Sequence, residues 1–265
     1  MHNAIRKSCS FIRATLFLFN FKIYNKSIKQ KGEILMAYNF VTDEHYNVNF
    51  DELEIMLKEK SLLNFQYQNE WLNSWLEILK KADQDTDIQI QNKNKHNLSF
   101  EGFEIFQKKV IFPSFSFYFN FVITGAHLFI EKTNPKIQTI SLKNIHNKSF
   151  PLEWSPTDNW RKSVNNQKPI IYTRFPLGMN EYLLIDGNHR LTAKINTKQN
   201  SIKSYIISPQ EIVDHKILPT TIDATMYLFI IESANFSKAL SENKYTHQQI
   251  FDSSLIHSAF TELLK

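Results

Sequence analysis

Two stretches in the first part of the chain place apolar residues at helical spacing. Leu53, Met56 and Leu57 share one face, and Leu72, Trp75, Leu76 and Leu79 repeat the i, i+3, i+4, i+7 pattern of an amphipathic helix. Residues 82–97 are rich in Lys, Asp and Gln, with little apolar periodicity beyond Ile88 and Ile90, which predicts a linker or exposed loop. Phe103, Phe106 and Val110 predict one more short helix. Between Lys109 and Glu131 there is no formal charge, a run long enough to raise a transmembrane span. Its internal pattern argues against one. Phe115, Phe117, Phe119 and Phe121 alternate with Ser116, Tyr118 and Asn120, the period of a strand with one buried face, with Pro113 and Thr124-Gly125 as flanking turn signals. His127 is assigned to this stretch as a packed residue rather than a ligand.

Short apolar segments at 137–142, 169–174, 182–185 and 202–207, each bounded by polar or turn residues, predict strands of a mixed sheet. Beyond Pro219 the period turns helical again. Ile222, Met226, Phe229 and Ile230 share a face, and Thr246 with Gln249 forms a capping box ahead of Ile250. The fold class expected is α+β, a small mixed sheet flanked by helical N- and C-terminal regions. The organisation expected is a leader over residues 1–35, a helical region over 36–112, the α+β core over 113–210 and a helical region over 211–265.

Composition narrows the chemistry. The one cysteine, Cys9, excludes a disulfide or a thiolate metal cluster built within the chain and points to a cytoplasmic address. The formal charge of +5 invites a nucleic-acid reading until it is located. Residues 1–35 carry seven basic side chains and one acidic one, which leaves the remainder near −1. Lys31-Gly32-Glu33 can be encoded by a purine-rich run like a ribosome-binding site just before Met36, so the expected start of translation is Met36. A signal peptide built on the apolar stretch 14–21 is disfavoured, because the stretch is short and has no small-residue cleavage site.

The candidate chemistry gathers at Asp186-Gly187-Asn188-His189-Arg190, directly after the apolar run Tyr182-Leu183-Leu184-Ile185. With five glycines in the whole chain, Gly187 is expected to meet a backbone need, a sharp turn or close approach to a ligand. If a helix begins there, its unpaired N–H groups and dipole form an anion site, to which Arg190 adds a planar cationic fork. His189 is a proton donor or hydrogen-bond partner near neutral pH, and Asp186 can orient His189, hold magnesium through water or cap the helix. A hairpin remains open on local grounds. Asp-Gly is a type I′ turn signal, and Leu191, Ala193 and Ile195 alternate as a strand would, while Leu191, Lys194 and Ile195 fit a helix equally well.

Residues 181–194 resemble the signature of the ParB/sulfiredoxin superfamily, a strand, a Gly-x-x-Arg turn and a helix. The similarity covers about residues 136–210, with 139–145 resembling the entry strand, 169–172 the strand before the motif and 202–207 the strand after it. The resemblance implies a turn that binds nucleotide phosphates with magnesium, through Gly187, Asn188, His189, Arg190 and Thr192, with Asp186 and His189 as catalytic candidates. Sulfiredoxin chemistry needs a cysteine where this chain has Asn188, and partition proteins carry a helix-turn-helix reader that residues 211–265 do not match.

The implied function is a nucleotide-dependent phosphotransferase or nucleotide hydrolase. It would use a nucleoside tri- or diphosphate with magnesium and an unidentified small-molecule or protein acceptor. The alternatives are a non-catalytic nucleotide-sensing module and a nucleic-acid-binding or nuclease-like protein, the last disfavoured by the near-neutral chain after Met36; a membrane partner is not expected. Further carboxylates for proton transfer are Glu153, Asp158 and Glu181. Trp154 and Trp160 can stack on a base and Arg161 or Arg174 reach phosphates, although packed tryptophans and solvated arginines are the favoured reading. The expected start is checked by mass spectrometry of the native protein, where peptides from ahead of Met36 would overturn it.

Overall fold

A computed structural model describes residues 48–59, 63–96, 104–111 and 116–257. The expectations placed on Cys9, Met36, Phe103, Pro113 and Phe115, and the leader as a whole, lie outside the described residues. The architecture mixes helices with a five-stranded mixed sheet, as expected of an α+β chain.

Two N-terminal helices, α1 (Phe50–Glu59) and α2 (Gln68–His96), bury the faces that their periodicity marks. Leu53, Leu57, Leu72 and Leu79 are at most 1 % exposed. The polar stretch expected to be a linker is the second half of α2. It has no Gly or Pro to break a helix already begun at Gln68, and a tertiary tie anchors it. The buried hydroxyl of Thr86 donates to the Ala82 carbonyl and accepts from the Ile222 N–H.

The helix expected around Phe106 and Val110 is instead a strand. β1 (Ile105–Ile111) pairs antiparallel with β2 (Ser116–Val122), the Phe-rich strand that the alternation predicts. Three apolar positions cannot separate the two periods, and the neighbouring strand decides. The expected border between residues 112 and 113 falls between these paired strands. Thr124-Gly125 does not end in a turn: it opens α3 (Ile123–Thr133), which carries His127.

The main sheet has the order β3-β7-β5-β6-β4. β3 (Gln138–Ser141) is followed at once by α4 (Leu142–His146), so only the first part of the expected entry strand is extended. β4 (Leu152–Glu153) is a short edge strand parallel to β6. β5 (Ile170–Leu177) and β6 (Asn180–Asp186) are antiparallel neighbours, and β7 (Ser201–Ile207) runs parallel to β5.

Both faces of this sheet are covered, which explains why its central strands are nearly all apolar. One face, with Ile171, Phe175, Leu183 and Ile185, joins the large core formed with α1, α2, the hairpin and α7 (Thr221–Glu242). The other, with Ile170, Tyr172 and Leu184, meets Ile145 of α4 and Leu191 of α5 (Asn188–Asn196). The short helix α6 (Pro209–Asp214) links β7 to α7, and α8 (His247–Asp252) starts at the predicted Thr246–Gln249 capping box. α7 is fastened to β5 by Tyr227, whose buried hydroxyl donates to the Arg174 carbonyl and shares a hydrogen bond with Thr173 Oγ1. Burial pushes this phenol well above the usual tyrosine range.

A second tie holds α2, α7 and the chain after α8. The Glu232 carboxyl group is 3 % exposed and accepts from Trp71 Nε1 (2.6 Å), Trp75 Nε1 (3.1 Å), the Leu255 N–H (2.6 Å) and Ser254 Oγ. Replacing Glu232 with Ala strands two buried indole donors, so stability in urea unfolding should fall by about 3 kcal/mol or more. Glu232→Gln keeps an acceptor oxygen and should lose clearly less; equal losses would show that packing, not hydrogen bonding, fastens these helices.

Candidate functional site

The motif turn is a strand-to-helix junction, not a hairpin. β6 ends at Asp186, Gly187 takes a left-handed conformation at φ 109° as the N-cap, and α5 begins at Asn188. The Leu191 N–H donates to the Gly187 carbonyl at 2.8 Å and closes the first helical turn. A side chain is excluded at Gly187 twice over. The backbone angle is unfavourable for any residue with a Cβ, and a Cβ would lie 2.5 Å from Ile170 Cγ2. The glycine therefore serves the turn and the packing of β5 against α5. Among the described residues no side chain caps the helix, so the amides of its first turn, which have no intrahelical acceptor, are left without a capping side chain.

Arg190 lies one turn along α5, and its Nη2 donates to Asp186 Oδ2 at 2.8 Å and to the Pro169 carbonyl at 3.2 Å. Both side chains of this ion pair are 13 % exposed. The buried Nε of Arg190 has no hydrogen-bond partner among the described residues. The same Asp186 oxygen is 3.1 Å from His127 Nε2. His127 comes from α3 and its side chain is 46 % exposed. The expectation of a packed histidine on the Phe-rich strand is thus corrected. The strand ends at Val122, and the helix that follows lifts His127 to the surface beside the junction. Its separation from Asp186 by 59 residues hid the pair from any local motif.

The remaining motif side chains bind protein. Asn188 Oδ1 accepts from the Ser155 N–H (2.8 Å), Thr192 Oγ1 accepts from the Thr157 N–H (3.2 Å), and His189 Nδ1 lies 2.9 Å from Thr157 Oγ1. Lys194, buried on the same helix, donates to Gln167 Oε1. Residues 155–167 are therefore strapped along α5. Asp186 makes its contacts with His127 and Arg190, and His189 is engaged by Thr157, so the orienting contact between Asp186 and His189 considered from the sequence is replaced by Asp186 with His127.

The other candidates stand outside the Asp186–Arg190–His127 group, with Asp158, Trp160 and Arg161 on the segment strapped along α5. Glu153 pairs with Lys108 of β1, both largely buried. Arg174 donates to Glu181 Oε1 (2.5 Å) and to Asn235 Oδ1 (2.5 Å), away from the junction on the α7 side of the sheet. Trp160 opens a 3₁₀ turn (Trp160–Ser163) and carries Arg161 over its ring at 5.0 Å, so these two are partners of each other. Asp158 is exposed, and Trp154 packs at the edge of the smaller core.

Among the described residues no group of three or more His, Cys, Asp or Glu is placed to hold a metal ion, and no helix is long and apolar enough to cross a membrane. No family model matches the chain, and neither a curated protein nor a solved structure does. Gly187→Ala should destabilise the protein by about 2–4 kcal/mol, from the left-handed backbone and the overlap with Ile170 together. Adding Ile170→Ala should recover part of that loss in a double-mutant cycle, since it removes the overlap and leaves the backbone term. Full additivity of the two losses would refute the contact.

Proposed function

We propose that the β6–α5 junction binds the phosphates of a nucleotide, and that the protein is a nucleotide-dependent phosphotransferase or nucleotide hydrolase. The observation that carries this reading is the uncapped start of α5 immediately after a left-handed glycine, with the Arg190 guanidinium one turn away. Amide donors and helix dipole favour a concentrated negative charge at that point. Arg190 adds a permanent positive charge one turn from the helix start. The resemblance of residues 136–210 to the ParB/sulfiredoxin superfamily supports the same ligand class.

Magnesium fits in a limited way. Asp186 Oδ2 is committed to Arg190 and His127, which leaves Oδ1 as the oxygen able to contact a metal-bound water. A magnesium ion carried largely by the ligand's phosphates suits one such carboxylate oxygen, and the ion would offset phosphate charge.

One observation favours a second reading, a nucleotide sensor without turnover. Asn188 Oδ1, His189 Nδ1 and Thr192 Oγ1 are each engaged by residues 155–157. A ligand that displaced this strap would convert occupancy into a change of conformation.

The test is thermal unfolding in ATP, CTP, GTP and UTP, each with and without magnesium. A nucleotide at a hundred times its Kd should stabilise the protein by about 2.7 kcal/mol. Arg190→Ala should abolish that gain, and it should also lower the ligand-free melting temperature because Asp186 loses its cation. No shift with any of the four nucleotides at millimolar concentration, or a full shift retained in Arg190→Ala, would count against the junction as the phosphate site.

A further inference from the structure

The side chain that meets Asp186 from outside the motif is His127, on α3. Asp186 Oδ2 accepts from Arg190 Nη2 at 2.8 Å and faces His127 Nε2 at 3.1 Å. A carboxylate accepts hydrogen bonds and does not donate them, so the ring nitrogen facing Asp186 carries the proton. In the neutral imidazole this fixes Nε2 as the N–H and leaves the lone pair on Nδ1. The ring is held at one end by a carboxylate that is itself held by an arginine, and it is 46 % exposed. Asp186 is also the residue directly ahead of the helix N-cap. The imidazole is thus held at the residue that leads into the helix start, with its second nitrogen left as the basic one.

We infer that His127 is the general base of the site, accepting at Nδ1 the proton of a hydroxyl that attacks the terminal phosphorus of a bound nucleoside triphosphate, with Asp186 as its positioning residue. The inference rests on the phosphate-binding reading above. In the step, the hydroxyl oxygen of water or an alcohol forms a bond to the terminal phosphorus. The bond between that phosphorus and the bridging oxygen breaks, and its electron pair leaves with the nucleoside diphosphate. The hydroxyl proton passes to Nδ1 and afterwards to solvent or to a product phosphate. No oxidant or reductant is required. His189, the histidine inside the motif, has its Nδ1 engaged by Thr157 and lacks a carboxylate partner among the described residues.

His127→Gln separates this role from a merely structural one. The glutamine amide can still donate to Asp186 from the position of Nε2 but offers no basic nitrogen. Inorganic phosphate release from each of the four magnesium nucleoside triphosphates, with water as acceptor, should fall by roughly 10²–10⁴-fold in the variant. The nucleotide-induced thermal shift and the ligand-free melting temperature should stay at wild-type values. His127→Ala, at a position too exposed to leave a cavity, should lose turnover equally.

Wild-type turnover in His127→Gln or His127→Ala overturns the assignment. A wild-type protein that is stabilised by a nucleotide yet releases no phosphate also overturns it, and leaves the binding reading standing as a sensor. Absence of any nucleotide-induced shift in the wild type sinks the binding reading itself, and the inference with it.

Discussion

The fold at the candidate site depends on a single missing Cβ. Because Gly187 can hold φ 109° with Ile170 pressed against it, β6 passes into α5 without an intervening loop. That immediacy sets the geometry of everything nearby. It lays Leu191 and Ile195 onto the smaller core, brings Arg190 back over Asp186 one turn away, and presents the uncapped helix start at the end of the strand. A longer connection would let helix and strand drift apart, and neither the ion pair nor the cluster of amides would be fixed in place.

Around that constraint the polar side chains divide into two kinds of work. Asn188, Thr192 and His189 fasten residues 155–157 to the helix, and Lys194 extends the fastening to Gln167. Arg190, Asp186 and His127 instead form a chain of charge and hydrogen bonds that runs outward from a buried guanidinium to an exposed imidazole. The first group explains why this segment lies along α5. The second is the part of the motif with chemistry to spare, and it reaches across to α3 for its outermost member. Far from it, the Glu232 carboxyl group and the Tyr227 hydroxyl hold α7 to α2 and to β5. The helices that cover the sheet are thereby locked by polar contacts as well as by apolar burial.

What the chain determined by itself was whatever depends on a strong local period or on a residue with no substitute. The faces of α1, α2 and α7, the buried alternation of β2, the central strands and the capping box before α8 all follow from side chains that must be buried or capped wherever the chain goes. Gly187 marked a special backbone position, and the residues around it defined where to look. Local pattern failed where the signal was weak or shared between periods. The polar half of α2 carries no apolar stripe, and residues around Phe106 fit helix and strand alike until β2 pairs with them.

Tertiary structure alone decided which side chains share a space. No spacing rule relates His127 to Asp186, or Ser155 to Asn188, because their meeting depends on how α3 and the edge strand β4 are packed against the sheet. The sequence could name the residue types able to bind phosphate or transfer a proton. Which of them are consumed in holding the fold, and which remain facing outward, is a property of packing, since a hydrogen bond is settled by distance in space and not by distance along the chain.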